Sequence, residues 1–166
     1  MLAPSAHPAE RTEWPTSSDE VQALVRDANR DLVPLVPVSS AKPRRRGGSA
    51  PSVPGAVQVD LSRMDRIGRI DRRNRIALIE PGVTFEQLVP ALAAEGMRIA
   101  MPLVPKPGKS VLASLLEREP LVTPRFAWNA MEPLRTLEVI WGNGERLYTG
   151  NGHLRSEEAA DWAAGQ

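Results

Sequence analysis

The sequence contains no cysteine, which excludes disulfides, thiolate zinc sites, iron–sulfur clusters and cysteine nucleophiles within this chain. Histidine is nearly as scarce. His7 and His153, the only two, sit near opposite ends of the 166 residues, so no histidine metal cluster is expected. Aromatic residues make up 4% of the chain, which leaves the core to Leu, Val, Ile, Met and Ala. No apolar run approaches the length of a membrane span. Residues 1–15 are polar and proline-containing, without the basic and apolar regions of a secretory signal, and point to a cytoplasmic protein. The net charge is only +1, too small for an overall electrostatic attraction to nucleic acid.

What is present is ordinary in amount and uneven in placement. The apolar fraction is 42% and the charged fraction 25%, as in a soluble globular domain. Sixteen prolines predict short elements and fixed turns. Lys42, Arg44, Arg45, Arg46, Arg63, Arg66, Arg69, Arg72, Arg73 and Arg75 crowd one stretch, whereas Glu157, Glu158 and Asp161 mark an acidic tail. A basic stretch of this kind suggests an anionic partner.

The elements are read from period and punctuation. Residues 1–15 read as a lead-in and 151–166 as a weakly helical tail, with 16–150 the structured part. Ser17 and Glu20 have capping-box spacing ahead of an apolar stripe of Val21, Leu24, Val25 and Ala28, so a helix should run to about Arg30. Residues 32–38 read as a short buried strand, whose Pro34 and Pro37 place it at a sheet edge or fall near the strand ends. A long basic loop, 39–54, precedes a strand at 56–61. Residues 67–71 and 75–80 read as a hairpin. Thr84 and Gln87 repeat the capping-box spacing, Phe85, Leu88, Val89, Leu92 and Ala93 form an apolar face, Pro90 predicts a kink, and Gly96 suits a helix end. A strand is expected at 98–101, a short helix at 110–117, and a hairpin at 134–141 and 145–149 around Asn143-Gly144. Trp128 and Trp141 are expected in a core or interface, and His153 in an exposed tail.

The most informative stretch runs from Val59-Asp60-Leu61-Ser62-Arg63-Met64-Asp65-Arg66-Ile67 to Ile79-Glu80-Pro81-Gly82-Val83-Thr84. A strand that breaks at Pro-Gly and re-enters a capped helix brings backbone amides to one sheet edge, an arrangement suited to phosphate. Arg44, Arg45 and Arg46 offer guanidinium groups to an anion. Ser39 and Ser40 offer hydroxyls to a phosphate or to their own loop, and Lys106, Lys109 and Ser110 form a basic entry to a helix. No acid–base pair or nucleophile triad stands out, and no catalytic residue is assigned.

These residues, with Trp14-Pro15-Thr16-Ser17-Ser18-Asp19-Glu20-Val21, Val36-Pro37-Val38 and Leu137-Glu138-Val139-Ile140-Trp141-Gly142-Asn143-Gly144-Glu145, resemble the FAD-binding domain of the vanillyl-alcohol oxidase or p-cresol methylhydroxylase type, over about residues 14–150. Glycolate-oxidase-like FAD-linked oxidases are similar. The resemblance implies an α+β fold of small mixed sheets with flanking helices. It implies that FAD contacts fall on Ser39, Ser40, Arg44, Arg45, Arg46, Gly47 and Gly48 in the first loop, on Pro81, Gly82, Val83 and Thr84 near the adenosine, and on Lys109 and Ser110 in the second loop. The departures are specific. The family's Arg-Gly-x-Gly loop is replaced by Ser39-Ser40-Ala41-Lys42-Pro43-Arg44-Arg45-Arg46-Gly47-Gly48, in which Pro43 has no N–H. Val111-Leu112-Ala113 stands where the family has Ile-Gly-Gly. No histidine stands at the family's covalent attachment point, so FAD is expected to be held non-covalently.

The expected function is therefore the FAD-binding component of an FAD-linked oxidoreductase that oxidises a small alcohol or hydroxy acid. The resemblance places the substrate domain in sequence beyond this stretch, so turnover is expected to need a larger partner subunit or a further C-terminal region. Such a chain is either a subunit of a split enzyme or a truncated product. Two alternatives are weighed beside it: a structural or assembly subunit that has lost FAD, motivated by the altered first loop, and a basic nucleic-acid-binding protein, disfavoured by the scarce aromatics and the lack of a reading motif.

Overall fold

The computed structural model describes residues 9–40, 50–121 and 133–150. Three short parallel strands open the fold: β1 (Arg11–Glu13), β2 (Leu35–Val38) and β3 (Val57–Asp60), in the order β1-β3-β2. The central strand is buried, with Ala56, Val57, Val59 and Asp60 shielded from solvent, as a strand flanked on both edges should be. Pro37 lies on β2, an edge strand, where its missing N–H costs no ladder bond on the open side. β1 falls within the expected lead-in. Its Arg-Thr-Glu sequence has no apolar alternation, and its place comes from pairing with β3.

Helix α1 (Ser18–Asp31) starts as its sequence implies. The Ser17 hydroxyl accepts from the Glu20 N–H at 3.3 Å, while the Glu20 carboxylate reaches back to the Thr16 N–H at 2.7 Å. The helix ends one residue beyond Asp31, at Leu32, which takes the left-handed conformation (φ 54°) while Val33 N–H bonds to Ala28 C=O at 2.9 Å. The strand expected from residue 32 therefore begins only at Leu35. Leu32 is 87% exposed, so its side chain gains little that would offset the left-handed backbone. Leu32→Gly is expected to raise unfolding stability by about 0.5–1 kcal/mol, read from the midpoint of thermal or urea melts. A lower midpoint would mean that the leucine side chain packs in solution.

The second layer is the hairpin β4 (Ile67–Asp71) and β5 (Ile76–Ile79), antiparallel with a register shift between Ile67 and Ile70. Asp71 closes its turn by accepting from the Asn74 N–H (3.0 Å) and side-chain amide (2.9 Å), and Arg75 takes φ 54°. Helices α2 (Phe85–Ala94) and α3 (Val111–Leu116) pack against this hairpin. The core they share is Val83, Phe85, Leu88, Leu92 and Val111, surrounded by Ile67, Ile70, Ala77, Ile79, Met97, Ile99, Met101 and Leu115. Pro90 lies on the exposed side of α2, and the helix continues through it to Ala94. Gly96 ends α2 at φ 66°, with Gly96 N–H to Ala93 C=O (3.0 Å) and Met97 N–H to Leu92 C=O (2.8 Å). That is the paired-bond stop that favours glycine.

Residues 98–101 do not form the expected strand; Ile99 and Met101 instead pack from irregular backbone onto the core. The last hairpin, β6 (Glu138–Ile140) and β7 (Arg146–Tyr148), is shorter than expected, and Gly144 (φ 80°) takes the left-handed position in its turn. It meets α1 through polar groups: Gln22 Nε2 donates to Gly144 C=O at 2.7 Å, and Arg146 bonds Asp19 at 2.6 Å. Trp141 is 53% exposed and is not core. Small parallel and antiparallel sheets with flanking helices make the fold α+β. Trp128, His153 and the 151–166 tail lie outside the described residues.

Candidate functional site

The three parallel strands run the same way, so the segments that leave them gather at one edge. Ser39 and Ser40 follow β2 at that edge, and a single-turn 3-10 helix, Leu61–Arg63, follows β3. Asp60, buried, caps that turn by accepting from the Ser62 N–H at 3.1 Å. The carboxyl edge of a parallel sheet is a common ligand site, because strand ends and loop amides face it together.

The Pro81-Gly82 turn rests on this edge. Glu80 C=O accepts from Val83 N–H at 3.1 Å, closing the turn, and Gly82 N–H donates to Met64 C=O at 2.7 Å. A Cβ at residue 82 would lie 2.6 Å from Leu61 O, 2.8 Å from Met64 O and 2.9 Å from Ser62 C. The glycine is there for close backbone approach, not for an unusual φ. Val83, fully buried, points into the core.

Ser110 joins this turn to the end of β2. It is fully buried, and its hydroxyl donates to Pro81 C=O at 2.6 Å and accepts from Ala113 N–H at 3.1 Å, capping α3. Its own N–H donates to Ser40 Oγ at 3.0 Å. Ser40, Pro81, Gly82, Thr84 and Ser110 are therefore brought together, with Ser39 adjacent. Arg44, Arg45, Arg46, Gly47 and Gly48 lie outside the described residues.

Two expectations about charge change here. The start of α2 was expected to offer its amides to a phosphate. Those amides are engaged within the chain: Phe85 N–H bonds Lys109 C=O (3.2 Å), Glu86 N–H bonds Pro107 C=O (3.0 Å), and Gln87 N–H bonds Thr84 C=O (3.2 Å). Thr84 is held in turn by Gln87, whose Oε1 accepts from the Thr84 N–H at 2.8 Å and hydroxyl at 3.0 Å. From the sequence, Lys109 belongs to a basic helix entry that an anion or solvent would meet. Its side chain is 11% exposed, and its ammonium sits 2.6 Å from Glu117 and 2.9 Å from Glu119. Its charge is spent on carboxylates eight and ten residues later, across α3, a pairing that linear spacing does not reveal.

Glu119 was not singled out in the sequence. Its carboxylate also accepts from the Ser114 hydroxyl at 2.6 Å. Burial pushes its pKa up, but the Ser114 hydroxyl, Lys109 and Lys106 outweigh burial and hold the carboxyl below its usual value. Glu80 behaves alike: burial raises it, and the Arg66 side chain, backbone N–H and charge bring it below the usual range.

Beside Gly82 lies an open cleft of about 310 Å³ lined by Ser62, Asp65, Gly82, Thr84, Glu86, Gln87 and Gly108. Asp65 accepts from the Gln87 side chain at 3.1 Å. With two carboxylates on its wall, this cleft repels phosphate and suits hydroxyl and amino groups. Among the described residues of the basic stretch, three arginines have partners within the chain. Arg66 pairs with Glu80 (2.7 Å), Arg69 with Asp71 (3.4 Å), and Arg63 lies over the Trp14 ring at 5.5 Å. Among the described residues no helix is long and apolar enough to cross a membrane.

The family described as "FAD binding domain" matches residues 9–119. The 1'-carboxy-chondrochloren decarboxylase of Chondromyces crocatus is 35% identical over 158 residues, covering 91% of this chain and 28% of that protein. The 4-cresol dehydrogenase (hydroxylating) flavoprotein subunit of Pseudomonas putida is 28% identical, covering 89% and 28%. Among solved structures, 4-ethylphenol oxidase from Gulosibacter chungangensis superposes with a TM-score of 0.74 at 31% identity, covering 89% of this chain and 28% of that one. p-Cresol methylhydroxylase with substrate bound gives 0.75 at 26%, covering 91% and 29%. The chain thus spans little more than a quarter of these relatives. Its fold is that of the p-cresol methylhydroxylase and vanillyl-alcohol oxidase type, and the chain belongs to the FAD binding domain family.

Proposed function

We propose that this chain is the FAD-binding component of an FAD-linked oxidoreductase and holds the ADP part of FAD, non-covalently, at the carboxyl edge of its parallel sheet. The observation that carries this is the three-way junction at Ser110, which fixes the end of β2 through Ser40 and the Pro81-Gly82 turn through Pro81. The residues fit the group in two ways. In sequence, Arg44, Arg45, Arg46, Gly47 and Gly48 follow Ser39 and Ser40, which end at the sheet edge, and guanidinium and glycine backbone groups are of the chemistry that a diphosphate needs. The carboxylate-lined cleft beside Gly82 and Thr84 suits the hydroxyl and amino groups of adenosine. Lys109 serves by structure, since its charge is paired within the chain. Non-covalent attachment is supported by the sequence, which has no cysteine and no histidine between His7 and His153.

When bound, FAD supplies the hydride-accepting chemistry, and the protein supplies position and electrostatics. The substrate proposed is a small alcohol or hydroxy acid, with 4-alkylphenols a related class because two relatives are named for 4-cresol and 4-ethylphenol. Turnover would need a larger subunit or further sequence equivalent to what those relatives carry beyond the matched quarter.

The test is a ligand series on the purified chain. FAD is expected to raise the melting temperature progressively with concentration, as mass action requires. ADP is expected to compete with FAD, and FMN, which lacks the AMP part and so the diphosphate and adenosine, is not. Acid precipitation after loading should leave a colourless pellet and a yellow supernatant. No shift with FAD at any concentration sinks the proposal and leaves the subunit that has lost its cofactor.

A further inference from the structure

Helix α3 has only six residues, too few to be stable by its own hydrogen bonds. Something must hold it, and with it the junction at its first turn. Its start and its end are tied together by charge. Lys109, just before the cap Ser110, reaches over the helix to Glu117 (2.6 Å) and Glu119 (2.9 Å) beyond its end. Glu119 accepts from the Ser114 hydroxyl (2.6 Å), its N–H bonds Ser114 C=O (3.2 Å), and Lys106 stands 3.8 Å away. Ser114 is fully buried, and the Glu119 side chain is 9% exposed.

We infer that Glu119 is a positioning residue for the cofactor edge: through Lys109 and Ser114 it holds residues 106–110 where Ser110 can grip Ser40 and Pro81. The inference rests on the FAD reading above. Its physical basis is the asymmetry of buried ion pairs. Removing one partner strands the other, and a stranded ammonium moves toward water. Lys109 cannot move alone. Its carbonyl holds the first amide of α2, and the next N–H holds Ser40. Among the described residues, Lys106, Lys109 and the Ser114 hydroxyl face Glu119, and Glu117 shares Lys109. Lys109 is paired within the chain, so its effect on the cofactor edge is felt as geometry.

The experiment measures FAD dissociation constants by quenching of flavin fluorescence, well below each variant's melting temperature. Glu119→Gln keeps the shape and removes the charge; it is expected to weaken FAD and ADP binding alike, by about tenfold. Glu119→Asp, which keeps the charge, should recover part of the loss. Arg146→Met is the control. It breaks the ion pairs of the half-buried Arg146 with the exposed Asp19 and with Glu138 at the α1 junction, away from the edge, and should leave the FAD constant unchanged whatever melting temperature it loses. If Glu119→Gln does not fold, Ser114→Ala, which removes only the hydroxyl held by Glu119, should weaken FAD by about threefold. Equal weakening by Glu119→Gln and Arg146→Met, or an unchanged constant in Glu119→Gln or Ser114→Ala, overturns the inference while the FAD reading stands. If the wild-type chain does not bind FAD, the FAD reading fails first and this inference fails with it.

Discussion

Gly82→Ala is expected to lower unfolding stability by about 3 kcal/mol or more and to abolish FAD binding at any concentration where the wild-type chain saturates. The reason is space. The added Cβ would meet Leu61 O at 2.6 Å, Met64 O at 2.8 Å and Ser62 C at 2.9 Å, and all three are backbone atoms. A clash with a flexible side chain would be relieved by a rotamer change. Here relief requires the Pro81-Gly82 turn to lift from the 3-10 turn after β3, breaking the 2.7 Å bond from Gly82 N–H to Met64 C=O. Val83 and Phe85 follow directly and are core residues, so the strain passes into the hydrophobic cluster. Gly96→Ala is the control. Nothing lies within 4 Å of its Cβ position, and only its positive φ (66°) resists substitution, at about 1 kcal/mol. Urea melts of the two variants separate the mechanisms. A Gly82→Ala protein as stable as Gly96→Ala would show that the close approach is not present in solution.

Pro81-Gly82 also shows how a residue can be legible while its reason is not. The strand break and the capped helix stand out in the sequence, and both are found. The explanation differs. Glycine serves backbone contact, and the helix amides that were expected to face a phosphate are taken by Pro107, Lys109 and Thr84 carbonyls. A linear pattern marks where a helix begins but not what folds back onto its first turn. The same limit explains Lys109, whose partners lie across α3. Where the signal is local, the sequence suffices: the 67–79 hairpin follows from two short apolar segments around a polar Arg-Arg-Asn turn, and α1 and α2 follow from their caps. Where the signal is tertiary, it fails. β1 exists only because β3 accepts it, and Ile99 with Met101 alternate like a strand while packing as loop. The fold family was legible because the recognisable segments, the strand ends and the Pro-Gly turn, are the ones that meet at the sheet edge.

Ser110→Ala carries the second large effect, an expected loss of about 2–3 kcal/mol, and it tests the junction directly. The hydroxyl does two jobs. As the cap of α3 it accepts from Ala113 N–H, and losing a serine cap costs about 1 kcal/mol. As a donor it satisfies Pro81 C=O at 2.6 Å, and a carbonyl left without its partner costs about 1–3 kcal/mol more. The Ser110 N–H survives the substitution, so its bond to Ser40 is not removed by chemistry. It is lost only if the backbone at 110 shifts once α3 is uncapped. That separates two outcomes in the FAD titration. If the junction is a rigid unit, Ser110→Ala weakens FAD about as much as Ser40→Ala, because either change frees the end of β2. If Ser110→Ala destabilises the fold yet binds FAD like wild type, the cap and the cofactor edge are independent, and the junction is a packing device alone.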